Sequence, residues 1–155
     1  MHVTSIPTVL SSMIFLMPFY AAVETQNPTS AFCWGALTTT SVFLHITKQP
    51  FHIHGLDNCI PVLQYADSVA IYAVLMRSLV DGYSAGPVGM TMAFLAIAWG
   101  ALVFHIGRPL GRFAFDPRPD ISILSHVSIH VVSAMGGTGV LYMRALKNGL
   151  ESSTL

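Results

Sequence analysis

The chain has 155 residues, of which 53% are apolar and only 9% charged, and its formal net charge at pH 7 is zero. A soluble domain is ordinarily about one quarter charged, so this composition excludes a soluble globular surface and points to an integral, multi-pass membrane protein. The few Lys and Arg residues form no run, so no nucleic acid partner is expected.

A helix that crosses a bilayer needs roughly 20 mostly apolar residues, and five stretches come near that length. The first covers residues 6–23 and begins "IPTVLSSMIFLMP". It has no basic leader and no small-residue cleavage site, so it is expected to be a retained span. The second, residues 31–47, carries Ser41 and His45 four positions apart near its end. His52 and His54 follow at a spacing of two, which shares a face only in extended chain, and they read as a solvated loop. The third, residues 61–80, contains Asp67 and Arg77. Cys33 within the second segment and Cys59 before the third make no disulfide framework.

The fourth stretch covers residues 86–106 and ends beside His105, where helix capping is an ordinary role. "GRPLGRFAFDPRPD" then reads as an interfacial loop: Arg108, Arg112 and Arg118 suit lipid headgroups, and Pro109, Pro117 and Pro119 are expected to stop helices. The fifth, residues 121–143, alternates polar and apolar residues like a strand. A lone strand cannot leave its edges unpaired in lipid, so helix is expected. On that helix His126 and His130 share one face. Gly136, Gly137 and Gly139 suit close helix packing. No internal repeat is visible, so one domain spans the chain.

Each polar residue has a plain reading beside the functional one. A membrane serine ordinarily bonds its own backbone or a neighbouring helix, and a buried histidine ordinarily packs, here with Ser41, Ser125 or Asp67 as possible partners. An intramembrane carboxylate such as Asp67 is by default a functional hypothesis. Alternating helices also bring His45, Asp67, His105, His126 and His130 toward one side. Three imidazoles with a carboxylate suit a catalytic zinc site, with three ligands and an open fourth position. Histidines on separate helices, His45 opposite His105 or His126, also suit a haem or chlorophyll-type pigment.

Ser41-Val-Phe-Leu-His45, then Asp67, then His126-Val-Ser-Ile-His130 resembles the signature of the CREST superfamily: alkaline ceramidases, progestin and adiponectin receptors (PAQR) and myomaker-like proteins. The motif residues fall within 41–132. A looser similarity to the myomaker-like branch lies in "IPTVLSSMIFLMP", in "YSAGPVG" and in the position of the final histidines. With the five apolar stretches, the resemblance leads to the expectation of an all-α membrane bundle of about five helices, a shortened relative of a seven-helix fold. It further implies that His45, His126 and His130 bind Zn²⁺, that Asp67 bonds the metal-bound water and acts as general base, and that Ser41 supports the ligands. The implied function is zinc-dependent hydrolysis of a lipid amide or ester drawn from the membrane. The alternative is a non-catalytic subunit of a larger membrane complex, with other membrane proteins as partners, or a haem- or pigment-binding subunit.

Overall fold

A computed structural model describes residues 6–47 and 57–152. Those residues are all-α, with no strand among them. His52 and His54, read as a solvated loop, lie outside the described residues. The described residues make five helical runs, close to the five stretches expected from the sequence.

The first run joins α1 (Ile6–Ser12), a 3₁₀ turn (Met13–Phe15) and α2 (Leu16–Glu24). The tightened turn lies just before Pro18, which offers no N–H to the carbonyl of Ile14. The second run is α3 (Pro28–Thr47). The third, α4, extends over Ile60–Ala85, past the expected end at residue 80. Asp81 does not end it, because the carboxylate is buried and paired inside the bundle. The break comes instead at Gly86, whose φ of 88° suits only glycine, followed by Pro87.

The fourth run is α5 (Pro87–Ala101), a π turn (Leu102–Ile106) and α6 (Gly107–Leu110). Here the expected prolines behave differently from one another. Pro109 stops nothing: it sits inside α6, and the chain before it has loosened into the π turn, which accommodates its missing N–H. Gly111 ends α6 in the left-handed region. Pro119 opens α7 (Pro119–Ser152), since a first helical residue needs no N–H.

The runs Ile6–Glu24, Pro87–Phe115 and Pro119–Gly149 are long and apolar enough to cross a membrane. By the same measure α3, diluted by Thr38, Thr39 and Thr40, and α4, with Asp67, Arg77 and Asp81, fall short. Large apolar side chains such as Phe32, Tyr65, Leu95 and Leu124 face outward. So extensive an apolar exterior needs an apolar surrounding.

The interior is built largely from small residues, which let membrane helices approach closely. Ala22, Ala70, Ala93 and Ala134 are buried, around Phe15, Trp34, Leu37 and Leu141. α7 packs on α2, α4 and α5, and α3 on α2 and α4. Between α3 and α7 the gap is filled by side chains. The Trp34 ring lies over Gly137, where a Cβ would overlap it. A Cβ at Gly136 would stand 2.8 Å from that of Ala96. The glycines of "MGGTG" thus act in packing.

Candidate metal centre

His45 lies in the last turn of α3 and His126 and His130 in the first half of α7, at the end of the bundle where α1 begins. The i, i+4 spacing on α7 gives both of its imidazoles one heading, and α3 supplies the third from across the gap. His126 Nε2 and His45 Nε2 are 3.2 Å apart. Ring centroids stand 5.0 Å apart for His45 and His126, 4.7 Å for His126 and His130, and 5.8 Å for His45 and His130. One ligand nitrogen from each residue falls in a set whose members are all within 4.8 Å of one another, so the three can hold a metal ion.

Helix α1 contributes a support that the motif residues do not announce. Ser11 Oγ donates its single proton to the carbonyl of Thr8 at 2.9 Å. The same oxygen is 2.9 Å from His130 Nδ1. With its proton on Thr8, Ser11 is placed to accept from an Nδ1–H of His130, the tautomer that would leave Nε2 free for a metal. Histidine ligands are commonly oriented by a hydrogen bond at the other ring nitrogen. Phe15 closes the site on the core side, with its ring 4.9 Å from that of His130 and 5.9 Å from that of Trp34.

Ser41 is buried one turn before His45. Ser12 Oγ gives its proton to the Thr8 carbonyl at 3.0 Å, so Ser41 Oγ–H donates to Ser12 Oγ at 3.3 Å. Ser41 thus ties α3 to α1 beneath the histidines. Asp67 on α4 is half-buried and accepts a hydrogen bond from Thr40 Oγ1 at 3.2 Å. Its carboxylate is not a member of the convergent nitrogen set. His105 is exposed in the π turn and does not join the set either. Ser128, two turns before the packing glycines, accepts from Trp99 Nε1 at 3.1 Å and donates to the Ser125 carbonyl at 2.7 Å.

The Ser-Ser pair inside an apolar first segment was the available signal for Ser11 and Ser12, since its position in the early part of that helix puts it at the histidine end. A second polar cluster, at the opposite end, is less legible. Asp81 is 2% exposed and receives Arg77, Arg144, Asn27 and Ser30 from three elements and the α2–α3 turn. No family model, curated protein or solved structure matches the chain.

Proposed function

We propose that this chain is a multi-pass membrane hydrolase in which His45, His126 and His130 hold a zinc ion and Asp67 manages the proton, cleaving a lipid amide or ester. The observation that carries the reading is the separation of the imidazole nitrogens. Two nitrogens bound at 2.0–2.1 Å and at the tetrahedral angle are about 3.3 Å apart. His45 and His126 present theirs at 3.2 Å. Axial ligands on opposite faces of a haem would stand about 4 Å apart with the macrocycle between them, so the geometry favours a small cation over a pigment.

Among the described residues the set holds three ligands, and three protein ligands with an open fourth position would be the pattern of catalytic zinc. Imidazole donors also suit zinc better than magnesium or calcium. When bound there, the ion would polarise a carbonyl and make water acidic enough to attack at neutral pH. Asp67, which accepts from Thr40, would take the proton from the attacking water and return it to the leaving amine or alcohol. Of the residues that carry the CREST resemblance, the three histidines converge, while Asp67 and Ser41 stand outside the set; the apolar exterior would give access from lipid.

The test is protein purified in detergent without chelator. About one zinc per chain, with fatty acid released from a lipid amide or ester by the wild type but not by Asp67→Asn, supports the hydrolase. Zinc without turnover, together with stoichiometric co-purification of other membrane proteins, supports a subunit that retains the site. Absence of zinc overturns the metal centre.

A further inference from the structure

We propose a phosphate-binding pocket at the other end of the bundle, built on Arg77 and Arg144. A cavity of about 270 Å³ opens there, below the size that drug-like ligands fill. Arg77, Arg144, Asn27, Thr29 and Asn148 line it, and among the described residues no carboxylate does. Asp81 lies behind the wall, only 2% exposed.

The charges at this wall do not cancel. Two guanidinium groups meet a single carboxylate: Arg77 Nη2 reaches Asp81 Oδ1 at 2.7 Å, and Arg144 Nη1 reaches the same oxygen at 2.5 Å. One arginine suffices to neutralise Asp81, so one positive charge is left over, and it faces the cavity. Donor accounting agrees. Arg77 uses Nε and Nη2, and Arg144 uses Nη1. Among the described residues, Arg77 Nη1 and both Nε and Nη2 of Arg144 donate to no protein group. A guanidinium fork of this kind matches the oxygens of a phosphate.

The remaining wall has the same sign. Pro28 and Thr29 begin the 20-residue helix α3, whose N-terminus carries partial positive charge. Glu24, at the end of α2, is engaged by the Tyr142 hydroxyl and does not line the cavity. A phosphodiester carries one negative charge, which matches the surplus. The cavity also lies where the runs Ile6–Glu24 and Pro119–Gly149 approach their ends. That is the depth of lipid headgroups, although free phosphate offers the same chemistry.

The experiment compares three probes on the detergent-purified chain: inorganic phosphate, dioleoyl phosphatidylglycerol, and dioleoylglycerol, which has the same tails and no phosphate. Native mass spectrometry and ligand-induced thermal shift read the binding. Two variants accompany the wild type. Arg144→Gln leaves Arg77 on Asp81, and Asn148→Asp puts a negative charge at an exposed position that touches none of the Asp81 contacts, so it folds even if the first variant does not. Binding of phosphatidylglycerol but not dioleoylglycerol, weakened at least about tenfold in the folded variants, supports a headgroup pocket. Binding of inorganic phosphate with the same variant dependence supports a free-phosphate source. Equal binding of the two lipids, no binding of either phosphate probe, or an Asn148→Asp protein that binds as the wild type does overturns the pocket.

Discussion

Ser11→Ala is the most informative single change at the histidine cluster, because it touches no ligand. Ser11 Oγ is placed to accept from His130 Nδ1–H, and both residues are buried. Without metal, the variant can move the His130 proton from Nδ1 to Nε2 and give it to another partner. With metal on Nε2, the proton must stay on Nδ1, where the alanine leaves it buried without an acceptor. That desolvation costs about 1–3 kcal/mol and falls on the bound state. The expected result is a zinc affinity about 10–100-fold weaker, the usual range for losing such a support. Competition against a fluorescent chelator measures it, with a melting curve to check the fold. Ser122→Ala, which loses only the bond to the Ala114 carbonyl in the neighbouring loop, should bind zinc as the wild type does. Unchanged affinity in a folded Ser11→Ala protein would refute the orientation argument, and a wild type that binds no zinc would refute the site itself.

Asp81→Asn should destabilise the bundle by about 2–3 kcal/mol, less than a fully buried pair would lose, because Arg77 and Arg144 reach water at 20% and 29% exposure. For a chain of this length that is a fall of roughly 5–10 °C in melting temperature, and an unchanged Tm would show that the cluster contributes no stability. Gly137→Ala should cost about 1–3 kcal/mol, because the new Cβ meets the rigid Trp34 ring, whereas Gly100→Ala, with nothing within 4 Å, should be neutral or slightly stabilising in the same melts. Asp116 is held down at about 2 by its side-chain and backbone hydrogen bonds from Arg118, so protonation belongs to the unfolded corner. Its stabilising effect is therefore complete above the ordinary carboxylate range and lost as pH falls through about 2. Hydrogen-exchange protection of the Arg118 and Ser122 amides should drop over that window, and Asp116→Asn should remove the pH dependence.

The all-α class and the five helical runs were legible because hydropathy and run length reflect a one-dimensional constraint, the need to satisfy every backbone group within one helix. The three histidines were legible for a related reason: i, i+4 spacing fixes direction on one helix, and alternation fixes the end at which helices meet. Boundaries failed where a charged residue looked like an exit from lipid. Asp81 lies inside α4 because α3, α7 and the α2–α3 turn deliver partners to it, and sequence spacing carries no information about those partners beyond Arg77, four residues away. Pro109 failed similarly, since the π turn that absorbs it is a tertiary accommodation. The part played by Ser11 was hidden because serine in a membrane helix so often bonds only its own backbone. Ser11 does that as well, through Thr8, and it is this bond that leaves its oxygen placed to accept from His130.

The two polar clusters also explain how a bundle with so little bulky core keeps one arrangement. In lipid the hydrophobic effect does not drive helices together, so association rests on close contact and polar bonds. Alanines and glycines supply close contact along the middle of the bundle, while Ser12–Ser41 and Ser11–His130 tie the helices at one end and the Asp81 cluster ties them at the other. α7 belongs to both, with His130 and Arg144 fourteen residues apart, about 21 Å along one helix. Between them lies Gly137 under Trp34, so rotation of α7 about its axis would break all three contacts at once. The orientation of His126 and His130 is thus fixed by contacts remote from the candidate metal site, and, on the proposed zinc reading, a change at Asp81 or Gly137 that turns α7 should weaken zinc binding without altering any of the three histidines.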